Sequence, residues 1–367
     1  MSKLLGAKEL APAATQLPLS WYFDPAIYER EMQLLFKNGP GYVGHRLMAP
    51  EANTYRALEM TGGAWALVNN GQSIEMVSNI CRHRQALMLD GSGKLAGGNI
   101  VCPLHRWTYD SKGALLGAPH FADQPCLHLP KKQLTEWNGM LFHGGRDIAA
   151  DLRSMGCAED LNFDGYQLAK VDVVEYNFNW KTFIEVYLED YHVVPFHPGL
   201  GHFVNCDELK WEFGDWFSVQ TVGVNSALAK PGSEVYRKWH ESVLNFRNGE
   251  PPKHGAIWLT YYPNIMVEWY PHVLVISTLI PRGPEKCSNV VEFYYPEEIA
   301  LFEPEFMAAE QKAYEETALE DEEICQRMND GRKLLWQEGR EEHGPYQSPM
   351  EDGMVHFHEF MRREIGA

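Results

Sequence analysis

Residues 81–121 read CRHRQALMLDGSGKLAGGNIVCPLHRWTYDSKGALLGAPHF. Two pairs organise the stretch, Cys81-x-His83 and Cys102-x-x-His105, with eighteen residues between them. Two thiolates and two imidazoles in this order suit a two-iron, two-sulfide cluster, one iron taking the sulfurs and the other the nitrogens. Imidazole in place of thiolate removes negative charge from its iron and raises the cluster potential. A cluster so tuned carries electrons. Structural zinc also takes two Cys and two His, but zinc pairs usually run Cys-x-x-Cys before the histidines, not Cys-His twice. Gly91-x-Gly93-x-x-Ala96 imitates a dinucleotide fingerprint. It lies between the two pairs and opens no helix, so it reads as a turn.

Outward from this stretch, the texture from Tyr42 to Gly145 is short alternating strands and glycine turns: ALVNNGQSIEMV, GGNIVCP, GALLGAP, NGMLFHGG. That predicts an all-β module. Before it, residues 19–37 read as partly helical, with Asp24-Pro25 as a helix start. After it come predicted strands at 168–176, 216–223, 256–262, 264–269, 272–280 and 288–295. Predicted helices begin near Trp180 and run from Glu303-Pro304 to about Glu338. Helices on one side of an antiparallel sheet make an α+β domain.

The 367 residues suffice for two domains with their own cores. The net charge of −18 argues against nucleic acid and anionic membrane as partners. No apolar run reaches spanning length, and MSKLLGAKELAPAATQLPLSWYF has no long apolar core, so neither a signal peptide nor a membrane span is expected. Beyond Cys81 and Cys102 the cysteines are Cys126, Cys157, Cys206, Cys287 and Cys325, scattered and odd in number, which suits reduced thiols in a cytoplasm.

Residues 180–200 read WKTFIEVYLEDYHVVPFHPGL. On a continuous helix Glu185, Glu189 and His192 share a face, and Pro195 bends the chain so that His197 approaches. Two histidines five apart beside carboxylates suit a non-heme iron, which commonly takes two His and one carboxylate and keeps positions open. The plain alternative is a solvated helix with an incidental His pair. A third ligand must come from elsewhere. In the late helix, Asp321 is the one carboxylate on a mostly apolar stripe with Tyr314, Thr317, Ala318, Ile324, Cys325 and Met328. Glu320, Glu322 and Glu323 are expected to point away. An acid on such a stripe costs free energy unless paired or metal-bound; a boundary Asp beside a Lys or Arg is the alternative. His202 reads as a pocket residue, and His356 and His358 as tail residues.

Residues 81–121, with Trp107 and Tyr109 after the second pair and Gly113-x-Leu115 beyond, resemble a Rieske domain. Two positions that are usually Gly in that pattern are here Gln85 and Arg106. The spacer is slightly long, and Gly91, Gly93, Gly97 and Gly98 allow a longer hairpin to absorb it. Residues 180–200 are similar to the iron motif of Rieske-type oxygenase terminal components, acid-x-x-His-x-x-x-x-His. The resemblance implies that His192 and His197 bind a mononuclear Fe(II), with Asp321 as third ligand. It implies that Glu189, rather than the adjacent Asp190, bridges a Rieske histidine of a neighbouring subunit to an iron-bound histidine. Cys81, His83, Cys102 and His105 then hold one [2Fe-2S] cluster.

The same resemblance covers Trp21 to about Glu359. It implies an N-terminal helical segment over 1–41 packing on the catalytic domain, a Rieske domain over 42–145 and a helix-grip (START-like) catalytic domain over 146–367. Head-to-tail homotrimers are implied, with electrons from NAD(P)H arriving indirectly through a separate reductase, with or without a ferredoxin. The expected activity is hydroxylation of a small organic substrate with O2. The aromatics Phe203, Trp211, Trp216, Trp239, Trp258, Tyr261, Tyr262, Trp269 and Tyr270 suit a planar ring, and family breadth favours an aromatic ring or aromatic acid. They also suit a quaternary amine such as choline or a betaine, and aromatics at strand spacing are most often plain core. An electron-transfer-only Rieske protein is the competing class, against which the 185–197 segment stands.

Overall fold

The computed structural model describes residues 16–225 and 228–366. The first fifteen residues of the expected N-terminal segment lie outside the described residues. The chain divides into two compact units, one over Pro40–Gly145 and one that joins the residues up to Gly39 with those from Arg146 onward.

The smaller unit is all-β. Its central sheet has the order β5 (Ser92–Lys94), β2 (Thr54–Ala57), β3 (Trp65–Asn69), β4 (Ile74–Ser78), β9 (Lys131–Lys132). A second sheet is β6 (Asn99–Val101), β7 (Thr108–Asp110), β8 (Leu115–Gly117), and a third pairs β11 (Met140–Phe142) with β1 (Tyr42–His45) and β10 (Thr135–Trp137). The Gly91–Ala96 decoy contains β5 and opens no α-helix. Ala66, Val68, Val77, Ile100, Trp107 and Tyr109 form the core together with Cys81 and Cys102. The two thiols are thus part of the packing rather than ornaments on its surface.

The larger unit is a seven-stranded antiparallel sheet in the order β12 (Tyr166–Tyr176), β18 (Lys286–Pro296), β17 (Val273–Gly283), β16 (Ile265–Tyr270), β15 (Ala256–Tyr261), β14 (Phe217–Val224), β13 (Val204–Gly214). Its helices are α1 (Pro25–Glu31), α2 (Trp180–Tyr187), α3 (Glu234–Phe246), α4 (Pro304–Gln337) and α5 (Asp352–Ile365), with shorter turns between them. α4 begins with Pro304 in its first turn, where a missing N–H costs nothing. It packs on the sheet through Tyr314, whose ring meets Phe293 of β18 edge-on at 5.1 Å. α1 is fastened to α2 by a fully buried pair: Lys181 Nζ lies 2.7 Å from Glu31 Oε1, and the Trp180 indole donates to Glu31 Oε2 at 2.9 Å.

Of the named elements of the larger unit, β13, α3 and α5 go beyond the sequence expectation. His356 and His358 are not tail residues. They lie in α5 two positions apart and face different neighbours. His356 meets Tyr262 Oη at 2.9 Å, and His358, fully buried, meets Glu185 Oε1 at 2.9 Å. Among the described residues no helix is long and apolar enough to cross a membrane.

Candidate metal centres

In the smaller unit the two ligand pairs sit in matching turns. The Gln85 N–H donates to Cys81 O and the Arg106 N–H to Cys102 O, both at 3.1 Å, so each cysteine opens a turn closed four residues later. Gln85 and Arg106 carry φ of +56° and +60°. These are the positions where the family pattern has Gly, and the left-handed backbone supplies the reason. The imidazoles of His83 and His105 meet with ring centroids 4.7 Å apart, and His83 stacks on Trp107 at 5.0 Å. Burial raises the Cys102 thiol, and the adjacent Cys81 thiol adds to the shift. His83 Nδ1 is buried without a hydrogen-bond partner. Two neighbouring buried thiols, paired imidazoles and an orphaned ring nitrogen fit a cluster bridging the turns.

In the larger unit α2 stops at Tyr187. The chain then turns, and Pro195 confines the next helical stretch to Val193–Phe196, with His192 just before it and His197 just after. The two Nε2 atoms lie 3.0 Å apart. Asp321 Oδ1, from α4, lies 3.4 Å from His192 Nε2 and 3.0 Å from His197 Nε2, so all three donors fall within 4.8 Å of one another. Burial opposes charge on His192, but the Asp321 and Glu189 carboxylates overcome it and raise the imidazole to about 10. His197 is raised by the same contest, and the two imidazoles hold Asp321 below its ordinary value against its burial. Asp321 Oδ1 nonetheless lacks a well-directed hydrogen bond. Two ring nitrogens facing each other with a carboxylate oxygen are poorly served by protons, whereas one divalent cation satisfies all three.

The outer carboxylates differ from expectation. Glu189 Oε1 lies 2.6 Å from His192 Nδ1, and its other oxygen accepts the His192 backbone N–H at 3.0 Å. This contact arises from the turn after α2, not from a continuous helical face. Glu185 takes no part: it is fully buried among Tyr22, Arg332 and His358, with Arg332 Nη1 at 2.6 Å. Burial works against its charge, but Arg332 wins and holds Glu185 down at about 2. Asp190 is buried beside Glu189 and is pushed up to about 7 chiefly by burial. Glu320, expected to point away, has Oε2 2.7 Å from His197 Nδ1. Neighbouring residues of α4 thus serve both sides of one imidazole, Asp321 at Nε2 and Glu320 at Nδ1. Spacing alone offered three equivalent acids and no signal to choose Glu320.

The donors open onto a cavity of about 630 Å³ between the sheet and α4. Its wall includes Phe203, Trp239 and Trp258, from the aromatic stretch singled out in the sequence, and also two buried carboxylates, Glu268 and Glu310. These acids were legible in part. β16 reads IMVEWY and is apolar on both faces, so its Glu268 had to be buried.

Residues 163–367 match the ring hydroxylating alpha subunit catalytic domain, and residues 43–130 match the Rieske [2Fe-2S] domain. The chain belongs to the Rieske-type ring-hydroxylating oxygenase family. As such it is an oxidoreductase that hydroxylates its substrate and uses a Rieske cluster and a mononuclear iron. This oxygenase is 62% identical to putrescine 2-hydroxylase of Ralstonia nicotianae, over 99% of both chains. It is 55% identical to putrescine 2-hydroxylase of Bordetella bronchiseptica, over 97% of this chain and 86% of the relative. A solved quaternary ammonium Rieske monooxygenase, described for carnitine oxidation and inter-subunit electron transfer, shares the fold. Its TM-score is 0.75 at 19% identity, with 96% of each chain covered.

Proposed function

We propose that this oxygenase hydroxylates a linear aliphatic diamine, with 1,4-diaminobutane (putrescine) as the first candidate. The observation that carries this reading is the 62% identity to a putrescine 2-hydroxylase over essentially the whole of both chains. It replaces the aromatic ring favoured from family breadth, and the buried acids of the cavity wall support the change. Cys81, His83, Cys102 and His105 hold the cluster, and His192, His197 and Asp321 hold the iron. The bound iron supplies oxygen activation and the cluster supplies electrons one at a time. Glu189 orients His192 and serves as the electron bridge to a neighbouring subunit's cluster within a homotrimer. Glu320 fixes the His197 ring, and the aromatic wall excludes water from the alkyl chain. One oxygen atom enters a C–H bond and the other leaves as water, consuming two electrons and two protons. The electrons come from NAD(P)H through a separate reductase, with or without a ferredoxin. The five cysteines outside the cluster form no disulfide, which suits a cytoplasmic setting.

The test is turnover of 1,4-diaminobutane by the anaerobically purified protein with a surrogate reductase, NADH and isotopically labelled O2. The expected product is a hydroxydiamine carrying one labelled oxygen. Turnover of choline, a betaine or an aromatic acid with none of the diamine would overturn the reading.

A further inference from the structure

Glu268 stands in the middle of the antiparallel sheet on the face that lines the cavity, and it is 3% exposed. The register sets Gln220 of β14, Trp258 of β15 and Glu268 of β16 directly opposite one another in three adjoining strands. The Tyr270 hydroxyl donates to Glu268 Oε2 at 2.9 Å and the Tyr314 hydroxyl to Oε1 at 3.1 Å. The Trp258 indole in turn donates to the Tyr270 hydroxyl at 2.9 Å. The Ser277 hydroxyl is a longer third donor, to Oε1 at 3.5 Å, and among the described residues Glu268 forms no ion pair with a lysine or arginine. Gln220 spends its Nε2 on the Tyr187 carbonyl at 2.7 Å and leaves Oε1 buried with no partner.

A carboxylate without a cation in an apolar wall is costly. Burial pushes Glu268 up to about 7 although both phenols favour its charged form. An orphaned amide oxygen in the same row adds a second unmet demand for a donor. Aromatic rings around the two acceptors add a face that attracts cations. The demand is therefore for a compact donor cation, and a primary ammonium supplies three N–H groups and one charge.

We propose that Glu268, with Gln220 Oε1 beside it, seats one terminal ammonium of the diamine, the end remote from the metal donors. This deepens the diamine reading and rests on it. Position agrees. Tyr314, which touches Glu268, is seven residues from Asp321 on α4, about 10 Å along the helix axis. A butane spacer holds its nitrogens about 6 Å apart at ordinary single-bond lengths. A diamine anchored at Glu268 thus extends toward His192, His197 and Asp321 and brings its far carbons near them. Chain length and the second charge become the basis of selection.

The experiment is calorimetric binding to anaerobic holoenzyme, with no turnover, of 1,4-diaminobutane against 1,4-butanediol, which replaces both ammoniums by hydroxyls so that no cation can reach Glu268. Wild-type protein is expected to prefer the diamine by at least about 30-fold, the scale of a buried charge pair. In Glu268→Gln the preference is expected to fall below about threefold, with cluster spectrum and iron content unchanged. A merely structural role would weaken both ligands alike. Retention of the preference in Glu268→Gln, or its collapse in Glu310→Gln instead, overturns the proposal while leaving the diamine reading intact. Failure of the wild-type protein to bind the diamine overturns both. Should Glu268→Gln not fold, Gln220→Met is expected to cut the preference about fivefold, and an unchanged preference there overturns the assignment.

Discussion

The cluster candidates of the smaller unit all fall between Cys81 and His105, in two turns closed by the same hydrogen bond. In the larger unit the candidate metal donors come from both ends of a broken helical stretch, His192 and His197, and from Asp321 more than a hundred positions away on α4. The first centre is built by local backbone geometry, the second by tertiary packing. A local centre survives damage elsewhere in the chain. A packed centre inherits every weakness of the elements that carry it, and the following expectations probe that difference.

The largest effect is a reciprocal one. His83→Ala is expected to lose the cluster and its visible absorption while retaining the single iron. His192→Ala is expected to lose that iron while retaining the cluster, and both are expected to lose turnover. Metal, sulfide and absorbance measurements check this. Loss of both metals in either variant would show the centres to be built as one.

Next in size is the base on which the packed centre rests. Lys181 is fully buried, its ammonium disfavoured by burial and sustained by Glu31. Lys181→Met leaves the buried Glu31 without its ion-pair partner and is expected to cost about 3–5 kcal/mol, lowering the thermal midpoint of the helical signal. Mutating Glu31 to Gln as well is expected to restore part of the loss. The cluster absorbance at low temperature is expected to be unaffected.

What the sequence disclosed follows the same division. The matching turns at Cys81 and Cys102 were legible because the spacing within each Cys–His pair is that of one turn. Helix α4 and the strands from β14 to β18 were legible from their periods. β13 was not, because the register slips between Asn205 and Lys210 and the bulge breaks the alternation. Helix α3 does carry the signal, with Tyr236, Trp239, His240 and Val243 at helical spacing after a Ser233 cap, but the aromatics read equally well as a wall. Asp321 stood out as an acid on an apolar stripe. Glu320 did not, since its role depends on where the His197 ring lies, which only the fold decides.

Glu320→Gln therefore sharpens the comparison at smaller scale. The carboxylate holds His197 Nδ1 and so sets which nitrogen faces the metal position. Its replacement is expected to weaken iron binding about 10–100-fold, read by chelator competition, with the cluster untouched. An unchanged affinity would mean that packing alone orients His197.

The smallest expected effect belongs to the local centre and tests whether local geometry is all it needs. Gln85 and Arg106 are exposed residues held in left-handed backbone, φ +56° and +60°, where a side chain crowds its own carbonyl. Gly relieves that crowding but gives back part of the gain, because it frees the unfolded chain. Gln85→Gly and Arg106→Gly are each expected to stabilise the smaller unit by about 0.5–1 kcal/mol, additively if the turns are independent. Urea-induced bleaching of the cluster measures it. A gain in both variants means each turn is limited by its backbone alone. A loss in either means that side chain makes a favourable contact outweighing the strain, and the centre at that turn is then less local than its spacing suggests.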